Sequence, residues 1–161
     1  MCALRIGVLT SSDTRAAGEA EDTSGKALIA LSEARGWEVV AYHLVPDDRD
    51  RIADALVQMA DDRACDIVFT TGGTGIGPRD VLPETTRAVA DREVPGIGEV
   101  IRGESLKITS RAMLSRGTAG QRGRTLIINL PGSEKAVRES FGFVADVLEH
   151  AVEMMAGGGH G

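Results

Sequence analysis

Short apolar runs alternate along the chain with segments whose apolar residues recur every three or four positions. Four runs predict β-strands, at residues 4–10, 37–45, 65–71 and 124–130. The segments between them predict helices. Near-continuous apolar strands that alternate with helices are typical of a parallel sheet covered on both faces. The pattern therefore predicts a single α/β domain over residues 1–156, a doubly wound, mostly parallel sheet with helices on both faces, followed by a flexible tail at 157–161.

The predicted helices differ in how clearly the sequence marks their ends. The first spans residues 23–35, with Ala34 on its inner face, and Gly36 predicts its end. Pro83 predicts the first turn of another helix, because its fixed φ suits that position. That helix is expected to reach about residue 91.

Three other segments give helical signals of different strength. One helix is expected to follow the PDD sequence and run to about residue 63. A long helix is expected after the PGS sequence at 131–133, because apolar residues continue at helical spacing as far as Met155. Residues 95–123 are harder to assign. The sequence VPGIGEVIRGESL, which begins at Val94, permits a helix there, although its glycines weaken that prediction.

Composition narrows the possible functions. Aromatic residues make up only 3% of the 161 residues, so we expect a core of Val, Leu, Ile and Ala and no platform for base stacking. The net charge is -6, which leaves no basic surplus to neutralise phosphates. We therefore expect no nucleic-acid partner, although a local basic pocket remains compatible with this charge.

The chain has two cysteines, Cys2 and Cys65, which do not form a disulfide framework or a zinc-ligand cluster. No signal peptide is visible, and no apolar run approaches the ~18 residues that a membrane span needs. We therefore expect a cytoplasmic protein that does not bind membranes.

Ligands of parallel sheets bind at the carboxyl ends of the strands. The loops at those ends are residues 10–22, 45–48, 71–83 and 130–134. The third contains TGGTGIG, in which Gly72, Gly73 and Gly75 place bare backbone N–H groups at a strand end, as an anion site requires. A tight turn is the alternative, but a turn explains one or two glycines better than four in six residues. The loop is not a Walker A motif, because Pro78 follows Gly77.

Several polar residues in these loops have two readings. Ser133 in PGS can cap the long helix, whose N-terminal N–H groups attract anions, so a cap alone and an anion site both stay open. Asp47 and Asp48 precede a helix, and capping is the favoured reading for either alone. Asp80 lies too early to cap the helix at Pro83. Its neighbour is Arg79, so the pair indicates either a site with Arg79 on a phosphate and Asp80 on a metal or a solvated ion pair.

The first loop is bracketed by Asp13 and Asp22, and we expect Asp22 or Thr23 to cap the next helix. Taken together, the loops offer glycine-rich anion sites and carboxylates but few side-chain bases. This combination favours phosphoryl or nucleotidyl transfer with Mg²⁺, in which catalysis is positioning and charge neutralisation. The metal is inferred from charge balance, because carboxylates beside polyphosphates repel each other without a cation.

Three motifs, TTGGTG…RDVLPETT, DREVPGIGE and LIINLPGSEKAV, resemble the Mog/MoaB family of molybdenum-cofactor biosynthesis and the G domain of gephyrin. The resemblance covers nearly the whole chain. It implies an α/β doubly wound domain that assembles as a homotrimer, or as a hexamer in the MoaB branch. It also implies a molybdopterin adenylyltransferase, which joins molybdopterin to AMP from Mg-ATP and releases pyrophosphate.

The resemblance also implies site residues. The family's two essential aspartates match Asp47 and Asp80, which would position Mg²⁺ and the nucleotide. Substrate-binding positions match Ser12 and Asp13, then Gly72, Gly73, Thr74 and Gly75, then Pro131, Gly132 and Ser133. We add Arg79 to this set as the candidate for a phosphate. The family's common TPEAT sequence is LPETT here, so Leu82 replaces a threonine that can cap a helix starting at Pro83. We expect this helix start to be weaker by ~1 kcal/mol.

Two alternatives to the enzyme stay open at this point: a MoaB-type protein that binds molybdopterin without transferring AMP, and a trimeric scaffold module of the gephyrin type. The presence of both aspartates favours the enzyme. For assembly, we expect Val94, Ile97 and Ile101 to lie on a packed subunit surface.

Overall fold

Six strands form one sheet in the computed structural model, which describes residues 3–158. The strands are β1 (Arg5–Ser11), β2 (Glu38–Val45), β3 (Ile67–Thr71), β4 (Arg92–Glu93), β5 (Ala119–Arg122) and β6 (Thr125–Leu130). Their order across the sheet is β2-β1-β3-β6-β5-β4. The first four in this order are parallel, whereas β5 is antiparallel to both β6 and β4. The four predicted strands are confirmed, but the two short strands at the edge were not predicted.

Helices cover both faces of this sheet, as the alternating pattern predicts. They are α1 (Asp13–Ala16), α2 (Thr23–Ala34), α3 (Arg49–Val57), α4 (Leu82–Val89), α5 (Pro95–Leu106), α6 (Glu134–Val144) and α7 (Leu148–Met155). One core packs α2, α5, α6 and α7 against the sheet, and the other packs α3 and α4. Adjacent strand residues divide between them: Phe69 enters the first core and Val68 the second.

Three helices differ in detail from the prediction. The first predicted helix is confirmed as α2, but Ala34 on its last turn is exposed instead of facing inward. The helix predicted after the PDD sequence is α3, which ends as an α-helix at Val57 and continues as a π-helical turn over Gln58–Asp62. The long C-terminal helix is two helices, because a 3₁₀ turn over Ala145–Val147 separates α6 from α7.

The glycine-containing segment at 95–106 does form a helix, α5, and a 3₁₀ turn over Ser110–Leu114 follows it. The structure corrects one of the three residues expected on a subunit surface, Ile101, and does not test the other two. Ile101 is only 6% exposed and belongs to the chain's own core, while Val94 and Ile97 are half-buried against that core. The exposed apolar side chains here are Val100, Leu106, Ile108, Met113 and Leu114.

The end of the described chain is joined to α7 by backbone hydrogen bonds. The N–H groups of Gly157 and Gly158 donate to carbonyl groups of α7, and the remaining predicted tail residues, 159–161, lie outside the described residues.

Within residues 3–158, no helix has the length and apolar character required to cross a membrane.

Candidate active site

The loops that follow β1, β2, β3 and β6 meet at the carboxyl ends of these parallel strands. The backbone N–H of Ser12 donates to Val45 O at 2.9 Å, which joins the first loop to the end of β2. Thr71 Oγ1, at the end of β3, donates to Pro131 O at 2.6 Å. A Cβ at Gly72 would collide with the carbonyl oxygen of Ser11. The prediction that these four loops form one region is therefore confirmed.

Asp47 faces this region and contacts the first loop through both carboxylate oxygens. Its Oδ1 accepts a hydrogen bond from Ser11 Oγ at 2.6 Å, and its Oδ2 accepts one from Asp13 N at 3.2 Å. In return, Asp47 N donates to Asp13 Oδ1 at 2.9 Å. The helix cap is supplied by Asp48, whose Oδ1 accepts from Arg51 N at 3.1 Å. One of the two aspartates does cap α3, and the other is left available at the strand ends.

Arg79 links the glycine-rich loop to the first loop. Its Nε and Nη2 each donate to the carboxylate of Asp13 at 3.0 Å, a two-point contact. The hydrogen bond from Arg79 is the main reason why the pKa of Asp13 lies below its usual value, and the Asp47 backbone adds to it. The side chains of Arg79 and Asp13 are 64% and 43% exposed, so this pair contributes little to stability. The partner of Arg79 is thus Asp13, not its neighbour Asp80.

Each glycine of TGGTGIG is accounted for by its backbone conformation or by the packing of Asp80. Gly72 and Gly73 adopt φ values of +92° and +66°, which other residues rarely reach. A Cβ on Gly75 or Gly77 would lie only 2.9 or 3.0 Å from Asp80 Oδ2, because this carboxylate packs over the loop. Asp80 Oδ2 also accepts the Gly77 N–H at 2.8 Å. Much of the glycine density therefore makes room for the Asp80 side chain.

Arg116 braces this loop, and the sequence analysis did not identify it. Its Nε donates to Gly75 O at 2.7 Å, its Nη2 donates to Asp80 O at 2.8 Å, and its Nη1 forms an ion pair with Glu84. Its backbone N–H donates to Thr74 O at 2.8 Å. Burial tends to raise the pKa of Glu84, but the hydrogen bond and charge of Arg116 keep it below its usual value. No sequence signal marks an arginine that acts through contacts this distant along the chain.

Asp22 is a buried carboxylate that stabilises the first loop through several contacts. Asp22 is 5% exposed and caps α2 by accepting the Gly25 N–H at 3.1 Å, which confirms one of the two expected caps. It also accepts hydrogen bonds from Thr10 Oγ1, at 2.7 Å, and from the Tyr42 hydroxyl. Burial, followed by the Asp22 contact, raises the pKa of Tyr42, so this hydroxyl keeps its proton at neutral pH. Arg15 completes the cluster with a 3.3 Å contact to Asp22.

The remaining predicted substrate-binding residues occupy loop ends and helix starts. Ser12 caps α1, since its Oγ accepts the Arg15 N–H at 3.2 Å. Ser133 caps α6 by accepting the Ala136 N–H at 3.2 Å, and its side chain is exposed. Thr74 is buried. The prediction that Ser133 caps the helix is confirmed. No contact among the described residues tests the prediction that this helix start binds an anion.

A cavity of about 190 Å³ lies beside the PGS loop, between α5, the Ser110–Leu114 turn and the start of α6. Its lining includes Ile101, Arg102, Ile108, Ser115, Pro131 and Ala136. Most of its residues come from segment 95–123, which the sequence pattern did not resolve. For that reason the cavity could not be anticipated from the sequence.

The described residues do not form a metal cage on their own. Within residues 3–158, no group of three or more His, Cys, Asp or Glu side chains is placed to hold a metal ion. Of the expected metal ligands, Asp47 accepts a hydrogen bond from Asp13, and Asp13 binds Arg79, the chain neighbour of Asp80. Both carboxylates offer oxygen atoms of the kind that Mg²⁺ prefers. This donor set fits an ion whose other ligands come with a bound substrate.

Known proteins resemble this chain along nearly its whole length. Residues 7–150 match a family described as "Probable molybdopterin binding domain". A molybdopterin adenylyltransferase of Helicobacter pylori strain J99 is 42% identical over 98% of this chain and 90% of its own length. One from Escherichia coli strain K12 is 40% identical over 94% of this chain and 79% of its own length. The solved structure of the molybdopterin biosynthesis enzyme MoaB from Thermus thermophilus superposes with a TM-score of 0.90, at 48% identity, over 96% of this chain and 97% of that one.

Proposed function

The chain belongs to the Mog/MoaB family of molybdopterin-binding domains, and on this premise we propose that it is a molybdopterin adenylyltransferase of molybdenum-cofactor biosynthesis. The observation that carries the proposal is the 42% identity, over 98% of the chain, to an enzyme of that name. The substrates are ATP and molybdopterin. Because the reaction consumes ATP, we place it in the cytoplasm.

The reaction suits a site that lacks an obvious general base. An oxygen of the molybdopterin phosphate attacks the α-phosphorus of ATP and forms a new P–O bond. The bond from the α-phosphorus to the oxygen that bridges the α- and β-phosphates breaks, and pyrophosphate leaves with that oxygen. The attacking phosphate is already ionised, so no proton has to be removed from it. Catalysis then depends on positioning and on neutralising charge.

We assign the phosphate-binding role to the glycine-rich loop and Arg79. The Arg79–Asp13 contact supports this assignment, because an exposed pair loses little energy when a substrate phosphate replaces the Asp13 carboxylate. Arginine also binds phosphate through two parallel hydrogen bonds, as it binds Asp13 here. Asp13 and Ser12 would then contact substrate from the opposite loop.

Asp47 and Asp80 are the residues that we propose hold Mg²⁺ together with the substrate phosphates. When bound, the ion supplies charge neutralisation between the phosphates and the two carboxylates. Support comes from the environment of Asp47, which contacts Ser11 and Asp13 instead of capping α3. Asp80 is supported by a loop whose glycines leave space for its carboxylate.

The cavity beside Pro131 is where we place the pterin ring system. Its mostly apolar lining suits a flat ring, and Arg102, Ser105 and Ser115 offer polar groups for the ring edges. Gly132 and Ser133 lie next to it on the PGS loop, at the start of α6. In the strand order the PGS loop after β6 is next to the glycine-rich loop after β3, so a phosphate that extends from this cavity would reach that loop before Asp47 at the end of β2.

The test is incubation of the purified protein with molybdopterin and Mg-ATP. The expected result is adenylylated molybdopterin with an equal amount of pyrophosphate. The matched control is Asp80→Asn, which keeps the size of the side chain and removes its charge. Product from the wild type but not from the variant supports the proposal, and no product from a wild type that binds molybdopterin contradicts it.

A second candidate is a protein that binds molybdopterin without transferring AMP. It rests on the resemblance to the MoaB branch, whose Thermus thermophilus member is 48% identical to this chain and is named a molybdopterin biosynthesis enzyme. The same assay separates the two candidates, because they differ only in whether pyrophosphate appears. We further propose that the chain assembles as a homotrimer, with a hexamer as the alternative, whichever candidate holds.

A further inference from the structure

The loop that carries Asp80 has few contacts that fix it to the rest of the fold. Leu82 N donates to Gly73 O at 3.2 Å at the end of the loop. The bonds between Gly77 and Asp80 are internal to the loop, so they shape it without anchoring it. The Arg79–Asp13 pair is exposed and therefore exchangeable. A further anchor is needed if Asp80 is to have a fixed position.

Arg116 supplies that anchor from another part of the chain. Its guanidinium donates to the carbonyl groups of Gly75 and Asp80, which are the two ends of the segment that folds around the Asp80 carboxylate. Its third contact, Glu84, lies in the first turn of α4. The guanidinium thus ties both ends of the loop to a helix.

The backbone beside Arg116 also forms part of the cavity wall. Arg102 Nη1 donates to Ser115 O at 3.4 Å and to Gly117 O at 2.6 Å. It therefore binds the backbone on both sides of Arg116. Both Arg102 and Ser115 line the cavity. A ligand that contacts this wall therefore contacts the segment that carries Arg116.

We propose that Arg116 is a positioning residue that couples occupation of the cavity to the placement of Asp80; the proposal rests on the function proposed above. A ligand in the cavity orders Arg102 and segment 115–117. Arg116 extends that order to Gly75 and Asp80. The carboxylate then reaches its working position when the pterin substrate is bound.

Lysine cannot replace arginine in this role. The three acceptors of Arg116 lie in different directions and use three different nitrogen atoms, Nε, Nη1 and Nη2. A guanidinium presents these donors in a rigid plane, whereas an ammonium group is a single point on a flexible stem. Arg116→Lys keeps the charge and loses the simultaneous contacts.

The first experiment compares Arg116→Lys with Arg122→Lys. Arg122 is a matched control, because it also binds one carboxylate, Asp61, and one backbone carbonyl, that of Val89, while lying on β5. For Arg116→Lys we expect kcat to fall by roughly 10- to 100-fold, the scale of a small misplacement of a catalytic group, with little change in KM for molybdopterin. The control should retain kcat. Equal losses in both variants, or normal kcat in Arg116→Lys, would overturn the proposal.

The second experiment does not depend on turnover. Amide hydrogen exchange of residues 74–80 is measured with and without molybdopterin. In the wild type, molybdopterin should slow exchange in this segment; in Arg116→Lys it should still slow exchange around the cavity but not at 74–80. No protection of 74–80 in the wild type, or equal protection in the variant, contradicts the coupling.

A third variant covers the case in which Arg116→Lys does not fold. Glu84→Gln keeps a hydrogen-bond acceptor for Arg116 and removes only the charge, so a smaller loss of kcat and partial loss of protection at 74–80 are expected. An unchanged Glu84→Gln protein would overturn the proposal. If the wild type forms no AMP product while its exchange protection depends on Arg116, the coupling stands and the proposed transfer reaction fails.

Discussion

Asp47 and Asp48 are neighbours in the chain, but their side chains have different partners. Asp47 contacts Ser11 and Asp13 across the strand ends, while Asp48 is an exposed cap of α3. The sequence alone presents both as helix-start carboxylates. The difference in partners makes Asp48 an internal control for the proposed role of Asp47.

Replacement of the two site aspartates is the first prediction. Asp47→Ala and Asp80→Ala should each lower turnover by at least ~100-fold, because each removes a preorganised charge-stabilising group. Asp48→Ala should cost about 1 kcal/mol of stability through its lost cap and leave turnover unchanged. The measurements are steady-state product formation and denaturant unfolding of the three variants.

Asp80→Asn should also keep nearly normal molybdopterin affinity, since the cavity that we propose for the pterin is lined by other residues. If both alanine variants turn over normally, the two aspartates are structural. If a folded Asp80→Asn loses molybdopterin binding together with turnover, Asp80 serves binding and not transfer.

Metal dependence is the second prediction at this scale. ATP, the molybdopterin phosphate, Asp47 and Asp80 bring several negative charges together, and without a cation their approach is unfavourable. Since the described residues form no metal cage, Mg²⁺ should bind weakly to the free protein and more tightly with ATP. Calorimetry of Mg²⁺ binding with and without a non-hydrolysable ATP analogue tests this, alongside product formation in EDTA. Full activity in EDTA would refute it.

Helix α4 shows how an element can begin differently from its sequence pattern. The LPETT sequence led to the expectation that Leu82 occupies a capping position and weakens the helix. In the structure α4 begins at Leu82 itself, its N-cap is Val81, and no side chain caps it. Leu82 is fully buried and packs in the core with α3. Leu82 is therefore a core residue. The expected absence of a side-chain cap is confirmed, and its cost of ~1 kcal/mol stays a prediction.

The third prediction follows from this burial and reverses the sign expected from the sequence. Leu82→Thr, which restores the family's common residue, should lower the free energy of unfolding by about 2 kcal/mol, because it removes apolar contacts and buries a hydroxyl group. Ser133→Ala is the comparison, a lost cap of about 1 kcal/mol at an exposed site. Urea unfolding of both variants gives the answer, and a more stable Leu82→Thr protein would restore the capping interpretation.

At the scale of the whole molecule, the surface around α5 is the feature that a monomer does not explain. Val100, Leu106, Ile108, Met113 and Leu114 are all 44–65% exposed and lie on α5 or the segment after it. Exposed apolar patches of this kind are typical of protein–protein contacts. This patch differs from the predicted surface of Val94, Ile97 and Ile101, of which Ile101 is buried in the chain's own core.

The fourth prediction is therefore a homotrimer at micromolar concentration, with a hexamer as the alternative, and it places part of the interface on this patch. Met113→Glu should shift the protein toward monomer, because it places a charge at a 65% exposed apolar position. Glu33→Lys, an exposed change on α2, should have no effect. Light scattering measures all three proteins, and a wild-type monomer throughout that range would disprove the prediction.

Structural features that depend on residues close together in the chain could be predicted from the amino-acid sequence. Apolar periodicity predicted the four parallel strands and most helices, since each face must bury a continuous apolar surface. Turn and cap residues placed the loops at the strand ends. The family motifs then indicated the reaction and the two aspartates. Strands β4 and β5 were missed because two and four residues are too few to show a period.

Tertiary structure alone decided which side chains meet. Asp13 and Arg79 are 66 residues apart in sequence, and Arg116 and Asp80 are 36 apart, yet each pair is joined by hydrogen bonds. No local pattern encodes such a contact, because it depends on how the strands order themselves in the sheet. For the same reason, only the folded chain shows that Asp47, and not Asp48, faces the strand ends. The cavity beside Pro131 likewise depends on the packing of α5 near α6, which no local sequence pattern encodes.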